Sequence, residues 1–143
     1  MAETMTTKIF SGTNTAVWIN SKRVKTVSAV QAKVAYTKND ISMCGQFYDD
    51  SIIVGAKGTG SITVYKSDST NLSLIDETNP NKRNEIVFLN DTPDANGRER
   101  IRLSGVTFDD TTLGDYEARK EGSVTLPFTF TGWKALEKVE ATI

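Results

Sequence analysis

Alternation between apolar and polar residues is the feature of this sequence that most constrains its fold. In the segment 121–131, small polar residues occupy one phase, and the other phase holds Val124, Leu126, Phe128 and Phe130. A period of two places the two sets on opposite faces of a β-strand. The segment is therefore predicted to be a strand with one apolar face and one polar face.

Other segments share the composition or alternation of strands, namely 15–20, 24–36, 60–66, 85–90 and 99–108. A short turn at 20–23 joins the first two into a predicted hairpin. The alternation blurs near Ser28, which predicts a bulge or a bend, and it changes phase at Ser104-Gly105, which predicts a β-bulge. The pattern predicts a mainly β fold in a single domain over 1–143: a sandwich or barrel of two packed antiparallel sheets with one flanking α-helix.

Two segments without this alternation are candidates for helix. Residues 67–80 are predicted to hold the flanking helix, because Ser67 or Asp68 can cap its start and Pro80 can end it. The tail 132–143 is predicted to be a short helix or an arm that orders on a partner.

Charge and composition narrow the classes of function. The chain has 17 Lys and Arg against 18 Asp and Glu and no histidine. It therefore lacks the cationic surplus with which proteins grip nucleic acid, and it lacks His-based catalysis and His/Cys zinc clusters. Cys44 is the only cysteine, and no stretch has the length of a signal peptide or membrane span, so an intracellular product is expected. No enzymatic activity, cofactor or metal site is predicted.

The glycine-rich stretch "GAKGTGSITVY" at 55–65 resembles a phosphate-binding loop in composition only. A P-loop needs a lysine where Ser61 stands, and it leads into a helix, whereas the residues after Gly60 alternate as a strand. We therefore predict that the glycines permit a positive φ or a close backbone approach, and that they bind no phosphate.

The charged clusters have ordinary explanations. Acidic residues at 47–50 and 108–117 lack the spacing of a calcium loop and are predicted to be solvated turns, although an acid/base pair at Asp109 and Asp110 stays open as a distant alternative. Three arginines alternate at 98–102 without the interleaved aromatic residues that stack on bases, so this stripe is predicted to face solvent.

Five motifs occur in the order seen in one family: "GTNTAVWINSKRV", "QAKVAYTKNDI", "GAKGTGSITVYK", "FDDTTLGDYE" and "LPFTFTGW". From about Gly12 to Trp133 the chain resembles phage tail tube proteins of the XkdM-like, PBSX type, which belong to contractile phage tails and R-type bacteriocins. Tyr116 stands where a tryptophan is common in that family.

The resemblance implies a sandwich of two sheets with a flanking helix, related to the type VI secretion tube protein. It implies hexameric rings in which one sheet of each subunit joins a continuous barrel, and stacking of these rings into the inner tail tube. DNA would transit the channel without sequence-specific binding. The implied partners are further copies of the chain and the sheath, tape-measure, baseplate and tail terminator proteins, with no membrane. The implied location is the virion, after assembly in the host cytoplasm, and the source stays open among phage, prophage and bacteriocin.

Within that resemblance, several residues are expected to have roles in the tube. Small polar strand faces suit a wet channel, and the predicted lining residues are Gln31, Lys33, Ser61, Thr63, Ser123, Thr125 and Thr129. The predicted inter-subunit residues are Asp40, Ile41, Phe47, Tyr48, Lys57, Gly58, Gly60, Asp109 and Asp110. The segment 38–58 is expected to be a long assembly loop, because it is too long for a simple hairpin loop. The arms 1–14 and 132–143 are expected to order on assembly.

One alternative comes from a different class of function. A small β-barrel that binds a ligand or glycan would use aromatic side chains, and the candidates are Trp18, Tyr36, Tyr65 and Trp133. Core or interface packing is the more common use of such residues.

Overall fold

The computed structural model describes residues 5–69, 72, 78–79, 81–93, 95 and 97–139. Two short 3-10 helices, Met5–Lys8 and Gly12–Asn14, precede the strands. The strands are β1 Thr15–Ile19, β2 Lys22–Val24, β3 Val27–Ile41, β4 Asp50–Tyr65, β5 Asn84–Asn90, β6 Glu99–Phe108, β7 Ser123–Phe130 and β8 Gly132–Glu137.

The strands pair antiparallel in two layers that share β6. One layer has the order β2-β1-β5-β6-β8, and the other has the order β6-β7-β4-β3. β6 joins both layers because its first part pairs with β5 and β8, while Thr107 and Phe108 pair with β7. The predicted antiparallel sandwich is confirmed.

One apolar core lies between the layers. Val17, Ile19, Ile86 and Leu103 contribute to it from the first layer. The second layer contributes Ile62, Val64, Val124, Leu126, Phe128 and Phe130. The apolar phase predicted at 121–131 is therefore the core face of β7, as the alternation requires.

Both predicted bulges are present, and the predicted hairpin is present with a shorter second strand. β1 pairs with β2, whereas most of the predicted strand 24–36 belongs to β3, which lies in the other layer and pairs with β4. Asn20 and Ser21 connect β1 to β2 with φ of 51° and 69°, the left-handed pair that a two-residue hairpin turn requires. The register of β3 against β4 shifts between Val27 and Ala29. At Gly105, φ is 64°, and one extra residue of β6 is accommodated opposite β5.

The expectation of a long loop over 38–58 is wrong. β3 continues to Ile41 and β4 begins at Asp50, so only 42–49 connects the two strands. Alternation did not reveal these strand residues because both of their faces are exposed, and no core imposes a period of two on them.

The terminal segments also differ from expectation. Residues 132–137 form β8, which pairs with the otherwise free edge of β6, so the predicted tail helix is wrong over that range. The N-terminal arm is bound to the rest of the chain at Ser11, whose backbone N–H donates to Thr92 Oγ1 (3.1 Å) and whose carbonyl accepts from Asn90 Nδ2 (2.8 Å).

The predicted flanking helix falls mostly outside the described residues. Ser67 to Ser69 are bends, and Leu72 is in helical conformation.

Candidate assembly surfaces

The β3–β4 hairpin has two parts with different surroundings. Residues 58–65 of β4 lie between β3 and β7, so this part belongs to the sandwich. Residues 50–57 of β4 pair with β3 and, among the described strands, with no other. At about 3.3 Å per residue, this two-stranded ribbon projects roughly 25 Å beyond β7. We call residues 35–57, which include the connecting loop 42–49, the hairpin extension.

The hairpin extension exposes many apolar side chains. Ile52, Ile53 and Val54 are 51%, 53% and 55% exposed, and Ile41 is also exposed. Phe47 and Tyr48 at the far end are 94% and 83% exposed. Ile52 and Ile53 are consecutive in β4, so both faces of the ribbon carry exposed apolar side chains. Exposed apolar side chains concentrated in one segment are characteristic of a protein–protein contact.

The far end of the extension, residues 46–50, has a defined geometry, and we call it the tip. Gly45, just before it, has a φ of 86°, which suits a glycine. Asp49 Oδ1 accepts a hydrogen bond of 2.8 Å from Ser42 Oγ across the loop. The rings of Phe47 and Tyr48 meet edge to face with centroids 5.3 Å apart. The tip is therefore an aromatic pair next to two carboxylates.

The strand register places all seven predicted channel residues on one face of β3, β4 and β7. Directly paired residues share a face in an antiparallel sheet. The paired rows across the three strands are Ala29–Thr63–Thr125, Gln31–Ser61–Pro127 and Lys33–Thr59–Thr129, with Tyr65–Ser123 at one end. Thr63 Oγ1 and Thr125 Oγ1 lie 3.3 Å apart within this face. We call this surface, which is opposite the core, the polar face.

Sequence reasoning missed two members of the polar face. Thr59 lies between Lys33 and Thr129, and Lys57 pairs with Ala35 one position further along. Both follow from the same alternation, but the strand was predicted to begin only at residue 60.

Gly58 and Gly60 have a role inside the subunit that the inter-subunit prediction did not foresee. A Cβ at Gly58 would collide with the ring of Phe130. One at Gly60 would collide with the backbone carbonyl oxygen of Gln31 and lie 2.6 Å from Phe128 Cζ. The two glycines thus leave room for the core phenylalanines of β7. The prediction of close backbone approach is confirmed, the partner of that approach is the chain's own core, and no positive φ occurs at either glycine.

The segment after β6 brings Asp109 to the edge of the polar face. Thr129 Oγ1 donates to Asp109 Oδ1 at 3.0 Å, and the Asp109 N–H donates to the Pro127 carbonyl at 2.9 Å. Leu113 and Tyr116 further along are 78% and 70% exposed. Both are exposed apolar residues in an otherwise polar stretch, and the sequence reasoning assigned neither of them to a contact surface.

The arginine stripe is paired with acidic residues. Arg98 Nε and Arg100 Nε lie 3.3 and 3.4 Å from Glu137 Oε2 of β8. Arg102 Nη2 lies 3.0 Å from Glu85 Oε2. The stripe is therefore compensated by carboxylates of neighbouring strands.

The aromatic residues of the ligand-binding alternative do not form one cluster. Tyr36 pairs with Ala56 in the extension, whereas Tyr65 lies at the other end of β4, about 30 Å along the strand. Trp18 pairs with Val87 on a face of β1 opposite to the buried Val17 and Ile19. The observation on which that alternative depended is thus absent from the described residues.

The described ranges contain no group of three or more His, Cys, Asp or Glu side chains placed to hold a metal ion. In the same part of the chain, no helix has the length and apolar character needed to cross a membrane.

Comparison with known proteins identifies the family. A family model described as "Phage tail tube protein" matches residues 3–137. The chain therefore belongs to the phage tail tube protein family, as the motifs predicted. Membership makes it a component of the tail tube of a virion or phage-like particle.

One curated protein is similar in sequence, and two solved structures are similar in fold. The phage-like element PBSX protein XkdM of Bacillus subtilis (strain 168) is 25% identical over 138 residues, which cover 92% of this chain and 93% of that protein. The fold is also similar to a chain of the extended PVC sheath–tube complex, an extracellular contractile injection system, with a TM-score of 0.70 at 8% identity over 95% and 100% of the two chains. Hcp1 from Flavobacterium johnsoniae gives a TM-score of 0.55 at 16% identity over 88% and 97%.

Proposed function

We propose that this chain self-assembles into hexameric rings that stack into the inner tail tube. The tube is the conduit for DNA ejection in a contractile tail, or the tube of a phage-tail-like bacteriocin. The role is structural, and no catalytic step is assigned to the chain. The observation that carries this proposal is the hairpin extension, whose apolar side chains find no core within the described part of the chain.

Closure of the ring would remove two open edges. In the layer β6-β7-β4-β3, one edge is β3 and the other is the end of β6. An unpaired edge strand favours pairing with another chain, and a closed barrel abolishes such edges. Lys38 lies on β3, while Asp109 and Asp110 follow β6. These opposite charges support a lateral contact in which β3 of one copy lies beside 107–110 of the next.

The polar face would line the channel in this arrangement. Its opposite face is committed to the core, so the layer can present only the polar face to water. Barrels with many strands enclose an aqueous lumen, and hydroxyl side chains suit its surface. Lys33 and Lys57 add positive charge to this face, and Asp109 beside Thr129 adds negative charge. Mixed charge among hydroxyl groups is compatible with DNA that moves through without being held.

The remaining partners follow from the position of an inner tube. A sheath would contact the outer layer, the tape-measure protein would occupy the lumen, and baseplate and terminator proteins would cap the two ends. The resemblance to a chain from a sheath–tube complex supports the contact with a sheath.

Negative-stain electron microscopy of concentrated purified protein tests the proposal. We expect rings or tubes of uniform width. The informative variant replaces 37–55 with Asn-Gly, because Tyr36 and Ala56 are directly paired and a two-residue turn can join them. It should unfold at nearly the same temperature as the parent chain but form no tubes. Normal tubes from this variant, or a parent chain that stays monomeric at all concentrations, would contradict the proposal.

A further inference from the structure

A pocket of about 750 Å³ opens at the end of the sandwich remote from the tip. Thr26, just before β3, and Tyr65, at the end of β4, both line it. The tip lies at the opposite ends of the same two strands. From Tyr65 to Asp50 the strand rises about 50 Å, so a subunit cannot place its own tip in its own pocket.

The pocket combines an apolar floor with a cationic rim. Val64, Val124 and Leu126 are buried core residues that reach its floor. The charged side chains among its described lining residues are Lys22, Arg23, Lys25, Lys66, Lys82 and one acid, Asp68. We call this site the basic pocket. Its chemistry suits a ligand that has both apolar and anionic groups.

The tip has the complementary chemistry. Phe47 and Tyr48 protrude into solvent, and Asp49 and Asp50 stand next to them. Two aromatic side chains would each bury on the order of 150–250 Å² on docking. A volume of 750 Å³ lies within the range of pockets that enclose groups of this size.

We propose that the tip of one subunit docks into the basic pocket of a second copy of this chain in the next ring. Complementary surfaces at opposite ends of one molecule make a head-to-tail contact, which propagates without closing. This is the symmetry that axial growth of a tube requires. The inference rests on the proposed ring stacking and specifies which residues make the contact.

The native thiol of Cys44 allows a direct test. Cys44 is exposed in the loop that carries the tip, and the exposed Ser67 lines the basic pocket. We would prepare Ser67→Cys, verify that it forms tubes, and treat the tubes with a short bismaleimide. We expect an open ladder of cross-linked products that extends past the hexamer.

Controls and outcomes separate this inference from the proposed function. Ser67→Cys/Cys44→Ser should give no ladder. The second control, Thr13→Cys, places a cysteine just before Thr15, the end of β1 that is remote from the pocket. It should give no ladder either. Intact tubes without a ladder, or a series that stops at the hexamer, would overturn the tip–pocket contact while the tube function stands. Absence of tubes from the parent chain would instead remove the proposed function.

Charge reversal gives an independent test. Asp49→Lys/Asp50→Lys and Lys22→Glu/Lys25→Glu should each abolish tubes while the subunit stays folded by circular dichroism. The chain that carries all these changes should recover at least half of the tube yield, because tip and pocket are again complementary. If each pair leaves tube yield unchanged, or the combined variant shows no recovery although it folds, the inference is wrong.

Discussion

The same two strands form both parts of the β3–β4 hairpin, but only one part packs against the core. In residues 58–65, apolar side chains alternate with polar ones, and the apolar set joins the core. In the hairpin extension, Ile52, Ile53 and Val54 follow one another without alternation, and all are exposed. The first part is explained by the subunit alone. The second part has no apolar partner among the described residues, which supports the proposal that it contacts another copy of the chain.

The largest effect on subunit stability should come from the core part. Phe128 is fully buried, and Phe128→Ala should lower the free energy of unfolding by about 3–5 kcal/mol, because truncation removes apolar contact and leaves a cavity. Urea denaturation followed by circular dichroism measures this change. A loss under about 1 kcal/mol would mean that the layers are less tightly packed than the structure shows.

Two glycines sharpen the comparison because they lie on the same strand. Gly58→Val should destabilise the subunit by about 1–3 kcal/mol, since the new side chain collides with Phe130. Gly55→Val is the matched control in the extension, where a Cβ would only touch Thr37 at 3.8 Å. It should leave the unfolding midpoint unchanged. Equal losses from both variants would contradict the division of the hairpin into two parts.

Substitutions in the apolar residues of the extension should affect assembly more than subunit stability. We expect Ile52→Ser/Ile53→Ser/Val54→Ser to change the free energy of unfolding by less than about 1 kcal/mol, because these side chains are about half exposed in the subunit. Tube yield by sedimentation should nevertheless fall at least tenfold. A folded triple variant that sediments like the parent chain would show that these side chains do not contact other copies.

The smallest effect is expected on the polar face. Lys33 is exposed and pairs with Thr59, so Lys33→Gln should alter stability by no more than about 0.5 kcal/mol and leave tube yield intact. Thermal unfolding and electron microscopy check both expectations. A clear loss of assembly would indicate that Lys33 contributes to the lateral edge contact.

The sequence predicted the parts of the molecule in which one face is buried. The core face of β7, the β1–β2 hairpin and the bulges at Ser28 and Gly105 all follow from period-two patterning and turn chemistry. The same patterning predicted the polar face, since its residues alternate with the core residues along each strand. It did not find the strands of the extension or β8, because pairing there is not accompanied by burial of a single face.

The candidate contacts were harder to predict for a related reason. Phe47 and Tyr48 were expected at an interface because they lie in the segment 38–58, whose length indicated an assembly role. The basic pocket was missed because its rim comes from β2, the end of β4 and the residues before β5, which are distant in sequence. Only the fold shows that these cations surround one apolar floor.

The central claim is that the hairpin extension is the part of the hairpin that contacts other copies of the chain. Hydrogen–deuterium exchange on the free subunit and on assembled tubes tests this claim most directly. Amides of residues 58–65 should be protected in both states, since they lie between two strands within the subunit. Amides of the hairpin extension should exchange readily in the free subunit and become at least tenfold slower in tubes. Unchanged exchange in the extension, with protection gained elsewhere, would contradict the account.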